Sequence, residues 1–150
     1  MRWSRALLIL KPEWDTLDRR VNAARAILNA ALAIATSGRV DGFTDISNLP
    51  PEVTAALEDV RMRAPALRRL RGESEPTFMA IPMRLADPRD RAIFVAFAPY
   101  SIHAELLDPD GKRILQLDDA SSSIEVSAPV SVFDALLRNL PEDVAVQRLR

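Results

Sequence analysis

The 150-residue chain contains no cysteine, and this absence excludes several kinds of chemistry. Disulfide bonds, thiolate nucleophiles and zinc or iron–sulfur sites built on cysteine all require the thiol. No apolar run approaches the ~20 residues that a membrane-spanning helix needs. The run Ala6–Leu10, which follows Arg2 and Arg5, is too short for a secretory core and precedes no cleavage pattern. We therefore expect a soluble, cytoplasmic protein that does not associate with membranes.

The sequence also lacks the short motifs that identify common enzymes. It contains no G-x-G-x-x-G, no Walker A pattern and no His-Glu-x-x-His, and His103 is its only histidine. Hydride transfer, nucleotide chemistry and zinc-dependent hydrolysis are therefore poor hypotheses. We favour a protein without enzymatic activity and expect no cofactor, no metal ion and no catalytic residues.

What the chain does contain is typical of one globular domain. Its apolar and charged fractions are 48% and 27%, which are ordinary values for folded domains. Residues 1–72 hold 12 Lys/Arg and 8 Asp/Glu, a net charge of +4, whereas residues 73–150 hold 8 and 13, a net charge of −5. Such asymmetry can orient a partner or favour self-association.

The spacing of apolar residues predicts two N-terminal helices. The first is predicted at Glu13–Thr36, with Gly38 as its C-terminal stop. Its apolar face is rich in alanine, which fits an intramolecular core or, as the alternative, a dimer interface. The second is predicted from Glu52 to about Arg71 and must be kinked or restarted at Pro65.

The second half of the chain predicts a sheet. Ile93–Phe97, an apolar run rich in β-branched and aromatic residues, is interpreted as a central strand. Asp87–Asp90 is interpreted as the turn that leads into it, and Asp108–Gly111 as a hairpin turn. The other strands are predicted at Thr77–Leu85, Ile102–Leu107, Lys112–Leu117 and Ser123–Ser127, and Val144 and Val146 fit either a further strand or a surface segment.

Together these elements predict an α+β fold in a single domain. We expect the two N-terminal helices to pack on a mainly antiparallel sheet of about five strands, which a short C-terminal helix from Ser131 follows. The helical half comprises about residues 1–72 and the sheet half about residues 73–150. Gly72–Pro76 is expected to be the joint between them.

His103 and Glu105 share one face of a predicted strand and, with Tyr100, form a candidate ligand site. In our preferred hairpin register His103 lies opposite Leu117, with Asp119 on the diagonal. A carboxylate within reach of an imidazole could make it a general base. A surface imidazole beside an acid is the interpretation that we favour.

Two further points bear on that site. A shift of one residue would place His103 opposite Gln116, with Asp118 on the diagonal. Ser101 is the other side chain near enough to act with His103, but no nucleophile-elbow motif surrounds it.

Five arginines cluster near the end of the second predicted helix. The favoured interpretation is a solvated face whose positive charge suits a helix C-terminus. The functional alternative is a patch for an acidic partner or for a phosphate backbone. No aromatic residue is interleaved with them in the sequence, which argues against a surface that stacks single-stranded bases. The cluster consists of Arg61, Arg63, Arg68, Arg69 and Arg71.

By elimination, the sequence favours a non-enzymatic protein–protein interaction module, such as an adaptor, an inhibitor or a subunit of a small bacterial assembly. Its expected partner is another protein or a second copy of the chain, as in a homodimer. The alternative is a small-ligand-binding protein or an unassigned enzyme with a pocket near His103. The second alternative, nucleic-acid binding through Arg61–Arg71, is less favoured.

Overall fold

A seven-stranded antiparallel sheet is the centre of the protein in the computed structural model, which describes residues 1–74 and 77–150. Across the sheet the strands follow the order β3-β2-β4-β5-β6-β1-β7. The strands are β1 (Trp3–Leu10), β2 (Ser37–Val40), β3 (Ile81–Arg84), β4 (His103–Leu107), β5 (Arg113–Asp118), β6 (Ser123–Pro129) and β7 (Val144–Leu149).

Helices cover one face of this sheet. Helices α1, α4 and α5 contact the strands, and α2 packs against α4. Strand residues alternate between a buried set that faces the helices and a more exposed set on the opposite, open face. Among the described helices, none is both long and apolar enough to cross a membrane. The helices are α1 (Leu17–Ala31), α2 (Pro51–Arg61), α3 (Ala64–Arg71), α4 (Pro88–Phe97) and α5 (Val130–Leu137), with 3-10 turns at Pro12–Trp14 and Ala98–Tyr100.

The α+β class and the antiparallel sheet are confirmed, but two details of the predicted architecture are wrong. The sheet has seven strands rather than about five, and the helices are not gathered at the N-terminus. The first 72 residues contribute β1 and β2 to the sheet, while α4 and α5 come from the rest of the chain. The expected joint at Gly72–Pro76 includes residues 75 and 76, which lie outside the described residues.

The interpretation of Ile93–Phe97 as a strand is wrong, because these residues form the second half of α4. The preceding turn signal is a helix N-terminus. Asp87 is the N-cap, and its carboxylate accepts a hydrogen bond of 2.8 Å from the Arg89 N–H. Pro88 occupies the first helical turn, where a missing N–H is tolerated. The buried residues of α4 follow helical spacing and are Asp90, Ile93, Phe94 and Phe97.

The predicted N-terminal helices are present but shorter. Helix α1 starts after Thr16, whose hydroxyl accepts a hydrogen bond from the Arg19 N–H, and it ends before Gly38 is reached. Gly38 lies in β2 beneath Phe94, where a Cβ atom would approach the ring to 2.8 Å. The predicted second helix restarts at Pro65, since α2 ends at Arg61 and α3 begins at Ala64 with Pro65 in its first turn.

The alanine-rich face of α1 lies inside the protein. Ala23, Ala24 and Ala31 are each 0% exposed. Their small side chains let α1 approach the sheet and its neighbouring helices closely. The favoured intramolecular packing is therefore the observed one, and this face is not available for a dimer interface.

The hairpin between β4 and β5 forms at the predicted turn. Gly111 has a φ of +79°, and its N–H donates to the Asp108 carbonyl at 3.0 Å. The Asp108 carboxylate accepts hydrogen bonds from the N–H groups of Asp110 and Lys112 at 2.9 and 2.8 Å. The local chemistry of these residues thus closes the turn without help from the rest of the fold.

Candidate functional site

A β-bulge determines which side chain faces His103. Leu107 pairs with Arg113 but Leu106 pairs with Leu115, so Ile114 is an extra residue without a partner in β4. The bulge moves the register by one residue along the rest of the hairpin. Both registers that the sequence suggested are therefore wrong.

His103 lies directly opposite Asp118 on the open face of the sheet. Its Nδ1 is 2.6 Å from an Asp118 carboxylate oxygen, and its Nε2 is 2.8 Å from a Glu105 carboxylate oxygen. The second Glu105 oxygen accepts a hydrogen bond of 3.0 Å from Arg39. The second Asp118 oxygen accepts one of 2.6 Å from the Gln116 amide. Both ring nitrogens and both carboxylates are thus engaged.

The electrostatics of this cluster favour the imidazolium form of His103. Burial by itself lowers the pKa of His103, but the hydrogen bonds to Asp118 and Glu105 outweigh it and leave the pKa raised. Burial raises the pKa of Glu105, but the hydrogen bond to His103 and the nearby Arg39 charge reverse this and lower the pKa. A histidine whose two nitrogens both donate to carboxylates is poorly placed to abstract a proton from a substrate.

The side chains expected to act with His103 do not join this cluster. Tyr100 is buried, with Arg25 over its ring, and Ser101 is 0% exposed with its hydroxyl donating to the Ala98 carbonyl. Five surface hollows of about 370–760 Å³ lie elsewhere in the described part of the chain, and none of these five is lined by His103, Glu105 or Tyr100.

A strained turn holds Asp118 in place. Asp119, Ala120 and Ser121 all have positive φ values, of 49°, 54° and 62°, in the region that favours glycine. The N–H groups of Asp119 and Ala120 donate to carbonyls of the segment just before His103, and the buried Ser121 hydroxyl donates to the Pro99 carbonyl at 2.7 Å. The turn contains no glycine that would have predicted it from the sequence. Its conformation is instead imposed by hydrogen bonds to another segment of the chain.

In the structure the five clustered arginines contact different parts of the protein. Arg63 forms two hydrogen bonds, of 2.6 and 3.1 Å, with the carboxylate of the buried Asp90. Asp90 also accepts a hydrogen bond of 2.9 Å from the backbone N–H of Arg84, at the edge of β3. The hydrogen bond from Arg63 lowers the pKa of Asp90 despite its burial. Arg63 therefore joins α3 to α4 and the sheet, and it is not available to a partner.

The last turn of α3 uses two arginines to hold the following segment. Arg71 donates to the carbonyls of Met79 and Ala80 at 3.2 and 3.0 Å. Arg68 donates to the Ser74 carbonyl at 3.5 Å, and Arg69 is exposed. These contacts fit the favoured interpretation of a positive helix C-terminus, but they leave part of the guanidinium surface open.

Arg61 lies on two aromatic rings. Its guanidinium is 4.2 Å from the ring centre of Phe78 and 5.8 Å from that of Phe43, and the two rings meet edge to face at 5.6 Å. Gly42 permits this packing, since a Cβ there would lie 3.2 Å from the Arg61 side chain. The sequence had suggested that no aromatic residue lies among the arginines. That observation holds for the sequence of residues 61–71, but the fold brings Phe43 and Phe78 to Arg61 from other parts of the chain.

Apolar side chains extend this surface. A hollow of about 540 Å³ is lined by Glu58, Arg61, Met62, Pro65 and Phe78. Met62 is 78% exposed and Phe43 is 36% exposed. We call this surface the Arg61 patch and define it as Phe43, Arg61, Met62, Pro65 and Phe78.

Neither the His103 cluster nor the Arg61 patch is arranged to bind a metal ion, since the described residues contain no suitable group of three or more His, Asp or Glu side chains. We found no significant match to this chain among protein-family models, curated proteins or solved structures. The functional interpretation therefore depends on the geometry of these two surfaces.

Proposed function

We propose that the protein is an interaction module that binds a partner protein through the Arg61 patch. The supporting observation is the exposed combination of Arg61, stacked on Phe78, with Met62 at its side. Arginine, methionine and aromatic residues are the types enriched at the cores of protein interfaces. Because the stack on Phe78 holds the guanidinium in place before a partner arrives, less side-chain entropy is lost on binding.

The charge around the patch indicates the chemistry of the partner. Within the described residues, no carboxylate lies at ion-pair distance from Arg61, Arg68 or Arg69. Pro65, Arg68 and Arg69 lie on one side of α3, since residues three and four apart share a helix face. A partner segment with a bulky apolar side chain flanked by Asp or Glu would fill the hollow and neutralise these cations.

The two alternative functions have less support. A phosphate backbone would meet only part of the arginine cluster, because Arg63 is bound to Asp90. A small ligand at His103 would have to displace carboxylates that already occupy both ring nitrogens.

The proposal can be tested by selecting short peptides from a random display library on the immobilised protein. We expect enriched peptides that combine acidic residues with one large apolar residue. Arg61→Glu and Met62→Asp should each weaken the binding of such a peptide at least about 10-fold, the loss typical of an interface hot spot. Fluorescence anisotropy with the labelled peptide measures this change.

Arg113→Glu is the matched control, because Arg113 is an exposed arginine on β5 with the same change of charge. Its peptide affinity should match that of the wild type. Thermal unfolding of each variant shows whether the fold is kept. Failure to enrich any peptide, or affinities that the two patch variants leave unchanged, would refute the proposal. Selective binding of duplex DNA or RNA through the same residues would favour the nucleic-acid alternative.

A further inference from the structure

The outer side of β7 is an unpaired sheet edge. Val144–Leu149 pairs with β1 on one side, and no described strand lies on the other. Four consecutive residues, 145–148, are exposed, and the strand contains no proline. The outward N–H and C=O groups of such an edge are a template for pairing with another strand.

The opposite edge of the sheet, at β3, is protected against pairing with another strand. In β3, Pro82 has no N–H to donate, and the N–H of Arg84 is already bound by the Asp90 carboxylate at 2.9 Å. These two residues are two apart in the strand, so their backbone nitrogens point to the same outer side. Proline and a bound carboxylate thus block the edge at β3. In β7 only the first outward N–H, that of Val144, has an acceptor, the Pro141 carbonyl at 3.1 Å, and the outward backbone groups of Val146 and Arg148 follow it.

We propose that β7 pairs antiparallel with β7 of a second copy of the chain, about a two-fold axis at Val146. Residues that face each other in an antiparallel pair must lie on the same side of the sheet. In β7, Val144, Val146 and Arg148 lie on the helix side, because they pair with the buried Leu10, Leu8 and Ala6 of β1.

That symmetry places Val146 opposite Val146 of the second copy, Val144 opposite Arg148, and Ala145 opposite Gln147. No like charges face each other in this register. Val146, which is 39% exposed, gains an apolar neighbour at the axis. The sheets of the two copies then form one continuous sheet with a protected β3 at each end.

Pairing of β7 with β7 of a second copy is favoured over pairing of β7 with β3 of another copy. Pairing of β7 with β3 of another copy would leave a free edge at each end and would produce an open chain. It would also require the two outer positions of β3 at which a backbone donor is missing or already bound. Pairing of β7 with β7 closes after two copies and uses neither position.

The absence of cysteine allows a direct test of this register. We expect the wild type to be a dimer at high micromolar concentration by light scattering, since one strand pair makes a small interface. Val146→Cys places the two thiols opposite each other, where Cα atoms are about 4.5–5.5 Å apart, within the Cα range of disulfides. Mild oxidation should convert most of this variant into a covalent dimer.

Ile9→Cys is the matched control, because Ile9 is an apolar strand residue of similar exposure, 41%, on the open face of β1. It should remain largely monomeric on oxidised denaturing gels. A monomeric wild type at millimolar concentration, or equal cross-linking by the two variants, would overturn the proposal.

A charge variant tests the same axis without chemical cross-linking. Val146→Lys places two ammonium groups beside each other in the dimer and should weaken self-association about 10-fold or more. Ile9→Lys should leave it unchanged. If Ile9→Lys weakens the dimer while Val146→Lys does not, the open face is the interface and the proposed edge pairing is wrong.

Discussion

At the scale of single residues, a side chain that occurs only once in the sequence organises the open face of the sheet. The one histidine, His103, links carboxylates from two strands, Asp118 and Glu105. Charge-assisted hydrogen bonds of this kind are shorter and stronger than neutral ones. The raised pKa of His103 makes this link depend on pH.

Replacement of His103 by Gln should reduce the dependence of stability on pH. Because the folded-state pKa is raised, the stabilising contribution is complete below the unfolded value of about 6.5 and is lost as pH rises through the folded value. Below about pH 6 the wild type should exceed the variant by about 1 kcal/mol, a low value because the imidazole is 33% exposed.

Urea unfolding at a series of pH values measures this difference. It should shrink at alkaline pH, where the wild-type imidazole is neutral. A difference that stays constant from pH 5 to about pH 9 would show that His103 contributes through packing rather than through its charge.

At the scale of elements, helix α4 shows how a cap decides between helix and strand. Ile93–Phe97 has the composition of a strand, but Asp87 and Pro88 precede it with the chemistry of a helix N-terminus. The helix buries Phe94 against Gly38 of β2, where no larger residue fits without displacement of the ring. Whether a short apolar run becomes a helix or a strand thus depends on the capping residues before it and on the space into which its side chains pack.

Removal of that cap should destabilise the fold. Asp87→Ala loses the hydrogen bond that the carboxylate accepts from the Arg89 N–H, and it should lower the free energy of unfolding by about 1 kcal/mol. Asp87→Ser keeps a capping oxygen and should lose much less. Denaturant midpoints of the two variants measure both effects, and equal stability of wild type and Asp87→Ala would contradict this role of Asp87.

At the scale of the whole molecule, distant segments of the chain are interleaved in the sheet. Strand β1 lies between β6 and β7, and β2 lies between β3 and β4. Each of these N-terminal strands is therefore hydrogen-bonded to two strands from the second half of the chain. Neither half can satisfy its own backbone groups.

Fragments 1–72 and 73–150 should therefore not fold separately. The first fragment would contain β1 and β2 without the strands that pair with them. The second would lack the strand between β3 and β4 and the strand between β6 and β7. We expect neither fragment to show a cooperative thermal transition by circular dichroism, while the full chain shows one. A cooperative transition in either isolated fragment would mean that the chain contains an independent domain.

Local chemistry alone was enough to predict several features. Asp108–Gly111 closes its turn through its own side chain and its glycine, and Pro65 can lie in the first turn of a helix but not in its interior. The apolar periodicity of α1 likewise predicted a helix with an alanine-rich buried face. These features depend on residues that are close in sequence, so they could be predicted without knowledge of the tertiary structure.

Other features were decided by contacts between distant residues. The bulge at Ile114 sets the partner of His103, the left-handed turn after Asp118 is imposed by hydrogen bonds to another segment, and Phe78 meets Arg61 only because the chain folds back. In each case a local preference competed with hydrogen bonding or packing across the molecule. The tertiary contacts prevailed because buried groups must be paired and buried space must be filled.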